Sequence, residues 1–164
     1  MSFCPRFYLV PPCTALVAWA LARRGRARTL LAPLVLVVVG MMVFAGGTAD
    51  NPELRKPDRA MTVRDLFLHT SGITYSFLQQ TPVDVIYRAK GIDYSKHAGD
   101  LKSFCELLAT APLVFSPGDR WNYSNSTDVL GRVVEVASGM SLDAFFRKRI
   151  FEPLGMNDTF FSVP

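Results

Sequence analysis

Tyr123-Ser124-Asn125 closes a stretch, Ser116-Pro117-Gly118-Asp119-Arg120-Trp121-Asn122-Tyr123-Ser124-Asn125, whose residue types and order could do chemistry. Pro117-Gly118 makes a turn, the chain then runs extended, and a helix starts at once after Asn125. Side chains at i and i+2 of an extended segment share a side, which predicts that Tyr123 and Asn125 face one cavity just ahead of a helix N-terminus. A phenol placed there can shuttle a proton once nearby cations lower its pKa. An amide beside it can orient a substrate carbonyl or a lysine. The same residues have ordinary uses too. Tyr123 can pack its ring and tether its hydroxyl, and Asn125 can serve only as an N-cap. A lone Y-x-N does not separate these readings.

Other reactive residues add little. Cys4, Cys13 and Cys105 are an odd number with no C-x-x-C pair, so neither a disulfide framework nor a zinc site is suggested. Cys105 stands among Phe104, Leu107 and Leu108 and reads as a buried structural thiol. No metal and no organic cofactor is indicated.

The elements that must position Tyr123 and Asn125 read as helices. Thr62-Val63-Arg64-Asp65 resembles a capping box before Leu66, Phe67 and Leu68 and predicts a short helix. His69-Thr70-Ser71-Gly72 ends it, with Gly72 free to take a positive φ. A second helix is expected over Val83 to Ala89, then a polar loop from Gly91 to Gly99. Asp100 caps a helix with the apolar face Leu101, Phe104, Cys105, Leu107 and Leu108, stopped by Pro112. Ser126 to Ser138 repeats Val129, Leu130, Val133, Val134 and Ala137 at helical period and closes on Gly139. Ser141 caps a last helix through Leu142, Phe145, Phe146 and Ile150. Asn51 to Arg59, with Pro52 and Pro57, reads as an exposed linker. Strand signals after residue 60 are weak, and the fold class is mostly α.

The chain carries a formal charge of +4, but its distribution is lopsided. Residues 1–49 contain no Asp, Glu or Lys, only Arg6, Arg23, Arg24, Arg26 and Arg28. The remaining 13 Lys and Arg face 14 Asp and Glu, so the rest is nearly neutral and shows no basic stripe for phosphates. Nucleic-acid binding is not expected. Leu30 to Ala45 is an almost unbroken apolar run behind the arginines Arg23 to Arg28. Its length falls between the roughly 20 residues of a membrane-spanning helix and the roughly 7–15 of a signal core. Residues 1–42 therefore read as a basic and apolar segment, and residues 43–164 as a separate unit. The first segment fits a membrane anchor, a signal sequence or a stretch read out of frame. The five valines of the run also allow a buried strand. A genuine N-terminal segment would place the protein at a membrane or cell envelope, and otherwise the cytoplasm is expected.

Four stretches together resemble the serine β-lactamase-like and penicillin-binding-protein-like hydrolases, which include class C β-lactamases, DD-peptidases and related esterases. Thr62 to Ile73, TVRDLFLHTSGI, is similar to the family's "DLL-x-HTSGL" stretch. Phe115-Ser116-Pro117-Gly118 followed by Tyr123-Ser124-Asn125 is similar to its "F-x-PG … YSN". Leu130-Gly131 and Gly139, then Phe151-Glu152-Pro153-Leu154-Gly155-Met156, resemble its "LG … SG … PLGM" ending. The resemblance runs from about Val43 to the C-terminus. It implies an acyl-serine mechanism in which a serine of S-x-x-K is the nucleophile, helped by its lysine and by the tyrosine of Y-x-N. By that resemblance Tyr123 is the general acid/base partner, and Asn125 hydrogen-bonds the substrate or the lysine. His69 to Gly72 is a structural turn beside the catalytic region, and the substrate is a small-molecule ester, amide or β-lactam.

This chain departs from that pattern in two places. No serine is followed by lysine three residues on: Ser71 meets Thr74, Ser95 meets Ala98, Ser103 meets Glu106. The family's third motif, K-T-G or H-x-G, is expected well after Y-x-N, beyond Pro164. His97-Ala98-Gly99 has the letters but precedes Tyr123 in a polar loop and reads as coincidence. The expectation is thus the helical region of the β-lactamase-like α/β fold without its C-terminal sheet strands: a partial serine hydrolase, inactive alone. Apolar surface at Phe145, Phe146, Phe160 and Phe161 is expected to be left exposed. A membrane-tethered, non-catalytic module for peptidoglycan peptides or a partner protein is the alternative, anchored through Leu30 to Ala45.

Overall fold

The Thr62 side chain accepts a hydrogen bond from the Asp65 amide, and Asp65 accepts one from the Thr62 amide at 2.8 Å. This reciprocal cap starts α1, Val63–Phe67, in a computed structural model that describes residues 41–162. Ahead of it, β1 (Val43–Gly47) and β2 (Pro52–Arg55) form a two-stranded antiparallel sheet, with Val43 opposite Arg55 and a bulge between Phe44 and Gly46. Then follow α2 (Pro82–Ala89), a 3-10 turn (Tyr94–Lys96), α3 (Leu101–Leu108), α4 (Ser126–Ser138), α5 (Leu142–Phe146) and a π-helical turn (Arg147–Phe151). The described chain is mostly helical with one small sheet, as part of a β-lactamase-like fold would be.

Local chemistry accounts for each helix end. Thr81 and Asp84 repeat the capping box at α2, with Pro82 at the first turn. Asp100 accepts from the Ser103 amide at 2.8 Å to start α3. Gly139 closes α4 in the left-handed conformation, φ 69°. α4 is central: it packs against α1, α3 and α5. Its Val129 and Val133 are buried with Leu66, Phe104, Cys105 and Leu108 in one core that also takes Val43, Ile73, Tyr87 and Leu113. Cys105 is a free buried thiol, and burial pushes its pKa up to about 12.

Three expectations need correction. The end of the apolar run is not helical: Val43–Ala45 lie in β1, where the Phe44 amide donates to the Leu113 carbonyl and the Leu113 amide to Met42. β-Branched Val43 is buried between strand partners, which a membrane helix would not allow. Among the described residues no helix is long and apolar enough to cross a membrane. The rest of that run, the Arg23 to Arg28 cluster, Cys4 and Cys13 lie outside the described residues. Second, the linker read at Asn51 to Arg59 contains β2, exposed but paired; Pro52 stands at its first position, where a missing amide costs no ladder bond. Third, the loop from Gly91 to Gly99 includes a 3-10 turn, because Asp93 caps the Ser95 amide.

Candidate active site

The segments 69–74 and 113–125 lie side by side. Val114 donates its amide to the Gly72 carbonyl, Gly118 to Thr70 and Asn122 to His69, each at 2.8 Å. The Asn122 side chain adds a bond to the Ile73 carbonyl at 2.9 Å. Gly72, φ 82°, makes this approach possible, since a Cβ there would collide with the Phe115 carbonyl oxygen. The 69–74 strip is anchored from below by Asp65. Its carboxylate takes two bonds from Arg59 and one from the Thr70 hydroxyl, and the Arg59 guanidinium holds its pKa well below the usual range.

On this frame Tyr123 and Asn125 part company. The helix turn begins at Asn125, whose φ and ψ are −61° and 11°. Tyr123 is 50 % exposed while Asn125 is 1 % exposed. Both still meet the same piece of chain. The Asn125 amide nitrogen donates to the Thr74 carbonyl at 2.7 Å, and the Tyr123 ring lies 5.1 Å from the ring of Tyr75. Asn125 sits at the N-cap position yet makes no side-chain cap bond. Its Oδ1 is buried and has no hydrogen-bond partner among the described residues. A buried acceptor left open is a place for an incoming N–H or ammonium donor.

Thr74 is held in turn. Its hydroxyl donates to the buried Asp84 carboxylate at 2.7 Å, and Asp84 also caps α2 through the amides of Gln80 and Thr81. Around Tyr123 the surface is aromatic: Trp121 lies nearly parallel to it at 6.5 Å, His69 is 5.3 Å away, and Tyr75 stacks on Phe77 at 4.7 Å. Burial, then Asp128 and Tyr123, hold the Tyr75 phenol above its usual range, so it stays protonated. Asp128, one turn into α4, is raised to about 6 by burial. Burial lowers the pKa of His69.

Sequence reasoning missed Tyr75, Thr74 and Asp84. The pairing of Tyr75 with Phe77 two residues on, just after HTSG, was the signal available for an aromatic wall there. His97-Ala98-Gly99 lies apart from this cluster in its loop, where His97 Nε2 pairs with Ser103 Oγ at 2.9 Å. Among the described residues no cluster of His, Cys, Asp and Glu could hold a metal ion.

A strip carrying HTSG lies against a strip ending in YSN at the N-terminus of α4. The sequence matches the family model described as Beta-lactamase over residues 12–164, and the chain belongs to that family of serine hydrolases. Among curated proteins it is 38 % identical over 120 residues to a lovastatin esterase of Penicillium rubens, covering 73 % of this chain and 29 % of that one. It is 36 % identical over 147 residues to esterase EstB of Burkholderia gladioli, covering 81 % and 37 %. Among solved structures, unliganded simvastatin synthase from Aspergillus terreus superposes with a TM-score of 0.60 at 28 % identity, covering 87 % of this chain and 36 % of that one. The chain thus spans about a third of the length of the curated relatives it matches.

Proposed function

We propose that this chain supplies the proton-transfer half of an acyl-serine site for small-molecule esters, with amides and β-lactams as the wider class. Tyr123 is the general acid/base, and Asn125 presents its carbonyl oxygen to a substrate N–H, the family's S-x-x-K lysine having no counterpart in this sequence. The observation that carries this reading is the open, buried Oδ1 of Asn125, fixed by Thr74 beside the half-exposed Tyr123 phenol. Full burial with a partner would suit a structural asparagine; an open acceptor suits one that receives a partner from outside the described residues. Two relatives named as esterases favour the ester class.

No serine in this sequence carries a lysine three residues on, so the covalent step has no nucleophile of the family's kind. Without it only binding and electrostatics remain. The test is to add a p-nitrophenyl ester and a serine-directed fluorophosphonate to the purified chain. Shifts of the Asn125 side-chain amide and the Tyr123 ring in NMR are expected on adding the ester, with no turnover and no labelling. Silence at both residues would contradict the site, and a labelled serine would contradict the missing nucleophile.

A further inference from the structure

Ser71, Ser124 and Ser126 are fully buried and stand in a row that leads to His69. Their hydrogens can be placed by counting. Ser71 Oγ accepts from the Ile73 amide at 3.2 Å, and its own hydrogen finds one acceptor among the described residues, Ser126 Oγ at 2.8 Å. Ser126 then donates to Ser124 Oγ at 2.7 Å, which also accepts the Ser126 amide at 3.3 Å. The Ser124 hydrogen is left for Nδ1 of His69, 3.3 Å away. Running the row the other way, with Nδ1–H donating to Ser124, ends on a Ser71 hydrogen buried without an acceptor. Such an orphan costs about 1–3 kcal/mol. A neutral imidazole with its proton on Nε2 is the arrangement that gives every hydroxyl of the row an acceptor.

His69 is placed as tightly by its backbone. It holds a left-handed φ of 54°, which histidine, like asparagine and aspartate, takes more often than other side chains, while its carbonyl accepts from the Asn122 amide at 2.8 Å. Its ring lies 5.3 Å from Tyr123 and 6.2 Å from Trp121. We propose that His69 is a positioning residue for Tyr123: an Nε2–H imidazole, fixed by the Ser71–Ser126–Ser124 relay, whose face sets where the phenol ring stands. The proposal rests on the reading of Tyr123 as the proton-transfer residue, and it gives the HTSG turn a task beyond ending a helix.

The chain has two histidines, so a long-range ¹⁵N–¹H correlation spectrum of the histidine-labelled protein, assigned with His97→Gln, reads the tautomer directly. The Nε2–H pattern is expected for His69, collapsing to a tautomer mixture in Ser124→Ala. His69→Asn, which tolerates the left-handed backbone and offers Oδ1 to Ser124 but no ring, should move the Tyr123 ring resonances, as His69→Ala should. An Nδ1–H or mixed tautomer in the unsubstituted chain overturns the proposal, whatever the variants do. Unmoved Tyr123 resonances in a folded His69→Ala overturn it as well. Ester-induced shifts at Asn125 with the wrong tautomer would sink the relay alone. The right tautomer with no ester-induced shifts would sink the functional reading alone.

Discussion

Asn125 has two polar ends, and the fold uses only the nitrogen. Asn125→Ala should strand the buried Thr74 carbonyl and lower stability by about 1–3 kcal/mol in urea denaturation. Asn125→Asp should cost more, because it turns an acceptor toward that carbonyl. Asp128 makes a pH-dependent prediction. Its folded pKa is raised from 3.8 to about 6, so the folded state binds more protons than the unfolded chain between those values. Stability attributable to this group therefore falls as pH rises from about 4 to about 6 and stays low above. Asp128→Asn should gain about 3 kcal/mol at pH 7 and nothing below pH 4. A gain that persists in acid would show that the carboxylate is not desolvated as described. At this scale Tyr123 and Asn125 can be picked out as candidates because their motif is continuous in sequence. Their supports cannot: Thr74 meets Asn125 across 51 positions, and Ser71 meets Ser126 across 55. Nothing in the order of residues marks such pairs.

Elements were the most legible layer. The capping boxes at Thr62 and Thr81, the cap at Asp100 and the glycine stop at Gly139 are local devices, and each acts within a turn of where it is written. The small sheet was legible only in part. β1 carries the end of a run whose valines allow a buried strand as well as a membrane or signal segment, and β2 carries a proline and charged residues that read as linker; what makes them strands is their pairing with each other. Two glycines separate conformational cost from packing cost. Both Gly72 and Gly139 have positive φ, but a Cβ at Gly139 meets nothing within 4 Å, while one at Gly72 would strike the Phe115 carbonyl. Gly139→Ala should cost about 1 kcal/mol in thermal or urea unfolding. Gly72→Ala should cost clearly more and should also shift the Tyr123 resonances, since it forces the two strips apart. Equal costs would mean that the strips are not in register as described.

Across the whole molecule the core is continuous from β1 through α4, but apolar surface remains at its far end. Phe160 and Phe161 are exposed, as expected, with Leu154 beside them in sequence as another exposed side chain, whereas Phe145 and Phe146 are half-buried through ring contacts with one another, Phe151 and Phe161. A Phe160→Ser, Phe161→Ser double variant should bind less of the dye ANS and stay soluble at higher concentration. Unchanged dye binding would place the sticky surface elsewhere. In the proposed function, Tyr123 and Asn125 supply the family's proton-transfer half without a serine nucleophile of the family's kind. Fluorophosphonate labelling of the purified chain, read by peptide mass spectrometry, tests it most directly. No labelled serine is predicted, in the native chain or in Tyr123→Phe. A labelled serine that disappears in Tyr123→Phe would overturn the proposed function, because it would reveal a complete acyl-serine site.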